Sequence, residues 1–157
     1  MFTKTLPVTA AATAACAVLG AAASRDVDSD WYRSLAKPSF QPPGQVFGLV
    51  WTPLYADIAI SSAVALDAAP DSSAATAYRR ALGLNLLLNT GWSVVFFRLH
   101  RVGAAVAAAA ALTASSADLA RRTYAADRRA GLAIAPYAAW CGFATVLSAA
   151  IWRRNRG

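Results

Sequence analysis

Glutamate is absent from the 157 residues, histidine occurs once, cysteine twice, and charged side chains make up only 15% of the chain. A soluble domain carries about a quarter charged residues with both signs mixed over its surface. This chain therefore lacks the polar cover of a water-facing sphere. The same shortage excludes disorder, which needs a polar, charge-rich composition. Cys16, Cys141 and His100 cannot supply the four ligands of a structural zinc site, so no metal is expected. No glycine-rich phosphate loop precedes a helix. A Ser-His-Asp arrangement would have to use His100, which sits between Arg98 and Arg101 at the end of an apolar run; a solvated turn residue is the simpler reading. Cys16 and Cys141 lie inside apolar runs and read as small fillers rather than a disulfide. No internal repeat is visible, which argues against the inverted-repeat transporters.

What the chain has is apolar length. Hydrophobic residues make up 57%, mean hydropathy is +0.40, and roughly a quarter of positions are alanine. The net charge of +7 would suit nucleic acid if the basic residues formed a stripe. Instead they punctuate: Arg79-Arg80, Arg98 and Arg101, Arg121-Arg122, Arg128-Arg129, Arg153-Arg154. Basic residues bracketing apolar runs of bilayer length mark an integral membrane protein, with the lipid bilayer as partner and no nucleic acid. The runs cover 5–24, 46–66, 81–97, 102–117 and 130–152, the second broken only by Asp57. A core of about 30 Å needs roughly 20 helical residues, so the third and fourth extend with flanking arginines snorkelling outward. Continuous Ala/Leu runs do not alternate as barrel strands would.

The expected fold is thus an all-α, multi-pass integral membrane protein: one domain over 1–157, a bundle of five transmembrane helices at about 5–24, 46–66, 79–99, 102–120 and 130–152, with an ordered loop at 25–45 rich in proline and aromatics. Lys4 and the Ala21-Ala22-Ala23-Ser24 stretch also fit a cleavable secretory signal, which would leave four helices; an intact mass separates the two. Basic residues number seven on one side and eight on the other, so orientation is undetermined.

The informative side chains lie inside the spans. Trp51, Leu54 and Tyr55 share a stripe of the second helix, and Pro53 within it should bend the helix or free a carbonyl. Asn85 and Asn89 lie one turn apart on the third, with Trp92 following on that face; Pro136, Tyr137 and Trp140 fall on the fifth. Hydrocarbon cannot satisfy an amide, so both asparagines should face the bundle interior. One reading is that the asparagines glue helices and the aromatics anchor interfaces. The other is an aromatic-lined cavity for a flat, apolar ligand with polar edges. Asp57 is read as a ligand or proton contact, or as a neutral carboxyl satisfied by Ser61 or Ser62. Gly44 and Gly48 form a G-x-x-x-G spacing, and the alanines of the fourth span would also permit close helix approach.

Trp31-Tyr32, Lys37-Pro38, Pro42-Pro43-Gly44, Trp51 with Leu54-Tyr55, Asn85, Asn89 with Trp92, Phe96-Phe97, and Pro136-Tyr137 with Trp140 occur in an order and spacing that resembles the translocator protein family, also called TspO, tryptophan-rich sensory protein or peripheral-type benzodiazepine receptor. The resemblance runs over about 31–155 and favours keeping the first segment as a helix. It implies a homodimer of five-helix bundles whose pocket under the first loop binds protoporphyrin IX and related tetrapyrroles as ligands, with no cofactor required. By position, Tyr32, Pro42, Trp51, Tyr55, Asn85, Asn89, Trp92, Ser93, Tyr137, Trp140 and Ala144 would line it, and Trp51 and Trp140 would be the catalytic tryptophans if the chain degrades porphyrin. Two departures stand out. Phe40 replaces the tryptophan that usually ends the Lys-Pro-x-Trp motif, which removes an indole N–H. The C-terminal sterol pattern needs a tyrosine that Leu147-Ser-Ala-Ala-Ile-Trp-Arg153 does not supply, so sterol binding by that motif is not expected. The leading function is tetrapyrrole binding in porphyrin handling or stress-related regulation. The alternatives are light- and oxygen-dependent porphyrin degradation, needing no acid–base pair, and small-molecule transport.

Overall fold

A computed structural model of the chain describes residues 4–156, and every regular element among them is helical. The extreme ends of the expected 1–157 unit lie outside the described residues. Helix α1 covers Leu6–Ala23, followed by a 3₁₀ turn at Ser24–Asp28 and the short α2 at Asp30–Ser34. Then come α3, Gly44–Asp67; α4, Ser72–Ser93; α5, Val102–Ala126; and α6, Arg128–Arg154. Local chemistry sets the starts. Pro7 lies in the first turn of α1, where its missing N–H costs nothing. The Asp71 carboxylate accepts from the Ala74 N–H and Asp127 from that of Ala130, both at 2.8 Å, capping α4 and α6. Helix α3 runs through Pro53 and α6 through Pro136 without interruption.

The five long helices pack as a closed ring in the order α1, α3, α6, α5, α4 and back to α1. Pairing is densest between α5 and α6, because Ala105 and Ala109 are buried and the connection is the single residue Asp127. Gly131, one turn into α6, lies directly on the backbone of Tyr124. Large apolar residues point outward instead, Leu49 at 75% and Leu87 at 72% exposure. In water such faces would be unstable; against acyl chains they are matched.

Several expectations are revised. Among the described residues four helices, α1, α3, α5 and α6, are long and apolar enough to cross a bilayer. The expected third span at 79–99 belongs to a longer helix that begins at Ser72 and passes into a π-helical turn over Val94–Arg98. Helix α4 is less apolar than the others because Arg79, Arg80, Asn85 and Asn89 all lie within it. The fourth helix runs six residues past the expected 120, to Ala126. A Cβ on Gly44 or Gly48 would meet nothing within 4 Å, so that pair is not a helix contact within the chain. His100 is an exposed residue of the connection before α5, as expected; it takes a left-handed φ of 53° and its ring stacks on Trp31 with centroids 3.9 Å apart. Cys16 and Cys141 are both buried free thiols. Asp57 accepts a hydrogen bond from Ser61 Oγ at 2.8 Å, the hydroxyl partner one turn on.

Candidate functional site: a polar knot beneath clustered aromatic rings

Midway along the ring, five helices contribute to one buried hydrogen-bond network. Tyr137 Oη donates to Asn85 Oδ1 at 2.8 Å and accepts from Asn89 Nδ2 at 3.1 Å. Tyr55 Oη donates to Asn89 Oδ1 at 2.9 Å, and Asn85 Nδ2 reaches Ser116 Oγ at 3.0 Å and Ser115 Oγ at 3.2 Å. Cys16 Sγ donates to Asn89 Oδ1 at 3.7 Å, bringing in α1. Asn85, Asn89 and Tyr137 are fully buried. Their spacing on α4 places both amides on one inward face, and the low dielectric strengthens each bond in the chain. The asparagines therefore act as the helix glue that one reading anticipated. They also form the floor beneath the aromatic side chains.

Above this floor stand two groups of rings. Trp51 stacks on Tyr55 at 5.4 Å and meets Tyr137 edge-on at 6.3 Å. Trp140 touches Phe47 at 5.9 Å and Phe143 at 5.1 Å, and Phe143 in turn meets Phe40 of the loop. The second group centres on Phe96 and Phe97, both buried, against which Trp31, Tyr32 and Trp92 pack. Both phenylalanines lie in the π-helical turn over Val94–Arg98. Trp92 Nε1 contacts Ser148 Oγ at 3.4 Å. Two buried polar atoms have no hydrogen-bond partner among the described residues: Trp140 Nε1 and Gln41 Oε1. Such orphans are uncommon in folded proteins and call for an explanation.

The loop over 35–43 is fastened. Asn155, at the end of α6, accepts from the Ala36 N–H through Oδ1 and donates to the Ala36 carbonyl through Nδ2, both at 3.0 Å. The Lys37 ammonium donates to the Tyr32 carbonyl and lies 4.4 Å from the centre of the Tyr32 ring. Gln41 Nε2 donates to Tyr32 Oη at 3.0 Å, yet burial still pushes the phenol above its ordinary range. With two bonds lost, each worth about 1 kcal/mol net, Asn155→Ala should speed amide exchange at Ala36 by roughly tenfold or more. Hydrogen exchange by mass spectrometry checks this, and unchanged exchange over 35–43 would mean the pairing does not hold the loop.

The sequence-predicted residues divide between these layers. Tyr55, Asn85, Asn89 and Tyr137 form the knot, with Trp51 directly on it. Trp140 adjoins through Phe47 and the common core, while Tyr32 and Trp92 belong with Phe96 and Phe97. Ser93 is buried close to Gly20 of α1, where Tyr55 Oη also approaches. Ala144 is buried and Pro42 half-buried. Phe47, Phe143, Gln41 and Asn155 were missed. Phe47 and Phe143 each lie one turn from a named tryptophan on the same stripe, a signal that was available. Two cavities, of about 340 and 270 Å³, lie at the opposite end, beside Tyr78 and beside Arg79.

Comparison with known proteins bears on this arrangement. The profile of the TspO/MBR family matches residues 8–153. Protein CrtK of Rhodobacter capsulatus is 32% identical over 143 residues, 91% of this chain and 89% of its own. The translocator protein of Homo sapiens is 31% identical, covering 81% of this chain and 76% of its own. The tryptophan-rich sensory protein of Cereibacter sphaeroides is 33% identical, covering 80% and 77%.

Proposed function

The chain belongs to the TspO/MBR family and is an integral, multi-pass membrane protein, and from that premise we propose that it binds a tetrapyrrole of the protoporphyrin IX kind between loop 35–43 and the Asn85–Asn89–Tyr137 floor. In this reading α4 also crosses the bilayer, giving five spans, and its arginines at 79 and 80 reach the interface by snorkelling. The observation that carries it is the pair of buried, unpartnered polar atoms, Trp140 Nε1 and Gln41 Oε1, set among aromatic faces. A flat apolar macrocycle stacks on rings of this kind, while its carboxylates and pyrrole N–H groups offer an acceptor to the indole and a donor to the amide. The protein's role would then be porphyrin handling or stress-related regulation. A homodimer fits the outward-facing Gly44 and Gly48, whose surface the chain leaves open.

The test is a dark titration of detergent-purified protein with protoporphyrin IX, followed at the Soret band. Wild type should saturate, and Trp140→Phe should weaken binding by roughly tenfold, equivalent to one lost hydrogen bond in a dry site. Saturation with equal affinity in both proteins would remove Trp140 from the pocket; no saturation would remove the ligand. A second reading, photo-oxidative degradation, is favoured by the run of redox-active rings from Trp51 through Tyr55 and Tyr137, from which an indole electron could reach an excited porphyrin. Illumination of the bound complex in air, with no loss of the Soret band, would dispose of it.

A further inference from the structure

At the end of the bundle away from the loop, the α3–α4 turn and the last turns of α5 leave a cleft of about 340 Å³. Its volume lies at the lower end of the range for small-molecule sites, about 300–1,000 Å³. The walls are small because the residues there are Ala69, Ala77 and Ala125, which leave a gap that no side chain of the chain fills. Tyr78 forms the floor, and its hydroxyl is engaged by Thr123 at 2.7 Å and Ser62 at 3.2 Å, so the ring is what remains to face the cleft. Arg121 and Arg122 stand at its edge. Both guanidinium groups share one carboxylate, Asp118, at 2.7 and 2.6 Å, which leaves one positive charge uncompensated and most of their N–H donors unused.

We propose that this cleft seats one acyl chain of an anionic phospholipid, with the phosphate on Arg121 and Arg122. The occupant follows from the two halves of the site. An apolar slot opening at the ends of membrane helices draws from the lipid phase, and a paired guanidinium edge selects a phosphate geometry. The whole end is basic: Lys4, Arg79, Arg80, Arg128 and Arg129 join the pair, against Asp67, Asp71, Asp118 and Asp127. Of these acids Asp71 and Asp127 cap helices, and Asp67 accepts from Thr5 Oγ1 and the Lys4 N–H. The site is separate from the aromatic cluster and does not depend on the ligand proposed there.

Native mass spectrometry of the full chain, delipidated in detergent and supplied with dioleoylphosphatidylglycerol or dioleoylphosphatidylcholine, tests the proposal. The anionic lipid should bind about fivefold more tightly, the ratio that about 1 kcal/mol for one net cationic charge gives. Arg121→Gln with Arg122→Gln should abolish the preference, and Asp118→Asn, which frees both guanidinium groups, should enlarge it. Ala77→Leu, which fills the slot, should weaken both lipids while the unfolding midpoint holds. Equal binding of the two lipids overturns the proposal, as does undiminished binding by Ala77→Leu. Soluble glycerol phosphate should leave no adduct; if it binds as well as the lipid, the edge is an anion site without an acyl seat, and the proposal fails.

Discussion

Gly131→Ala should cost the protein at least about 3 kcal/mol, the upper end of what overpacking a close-packed interior usually costs, and leave little folded material in detergent. A Cβ at this position would lie 2.3 Å from Tyr124 Cα and 2.6 Å from Tyr124 N. Carbon atoms in contact sit about 3.5–4.0 Å apart, so α6 would have to retreat by more than 1 Å. The obstacle is backbone, which cannot swing aside as a side chain would. Nor can the helices separate at that point, since only Asp127 joins α5 to α6. The contrast is Gly83→Ala, where nothing lies within 4 Å; there the better helix propensity should be neutral or stabilise by up to about 1 kcal/mol. Unfolding in mixed detergent, followed by tryptophan fluorescence, compares the two. An unchanged midpoint for Gly131→Ala would mean that the α5–α6 crossing is not as close as described.

Asn89→Leu should be the most damaging change in the polar knot. Its amide is at once the acceptor for Tyr55 Oη and a donor to Tyr137 Oη, so leucine strands the half-buried Tyr55 hydroxyl and leaves Tyr137 Oη only its bond to Asn85. A stranded buried group costs about 1–3 kcal/mol. In membranes the unfolded reference also finds partners, so about 2 kcal/mol in total is expected. Asn89→Asp keeps the acceptor but loses the donor and introduces a group costly to ionise. Tyr137→Phe removes the central hydroxyl and frees both asparagines. In a double-mutant cycle Asn89→Leu and Tyr137→Phe should be strongly non-additive, because each destroys the same bond. Simple additivity would show that the bond contributes nothing.

Much of this was legible because hydrocarbon is an unforgiving solvent. The apolar runs located α1, α3, α5 and α6 to within a few residues, except at the C-terminal end of α5. There the chain stays helical through Asp118, Arg121 and Arg122, where i, i+3 and i, i+4 ion pairs replace hydropathy as the support. The start of α4 was missed for a related reason: its first two turns are polar, and the Asp71 cap rather than hydrophobicity sets Ser72 as the first residue. The inward face of Asn85 and Asn89 followed from their spacing. That the two amides would meet Tyr137 and Tyr55 could not follow, because it depends on which helices are neighbours in the ring. The π-helical turn left no signal, since Val94–Arg98 reads as ordinary apolar helix.

The Asn155 pairing with Ala36 places the loop over 35–43 and the end of α6 in one hydrogen-bonded unit. Asn155 caps the C-terminal end of α6 and its Nδ2 also bonds the Ile151 carbonyl, so one side chain serves both the loop and that helix end. Helix termini unwind with free energies far below that of global unfolding. If the loop and the polar floor enclose a ligand as proposed, association should be gated: first order at high ligand concentration, with a ceiling set by release of Ala36 from Asn155. Weights hung on the C-terminal side of Asn155, such as a fused tag or a bound partner, would then shift that ceiling while leaving the equilibrium affinity almost untouched.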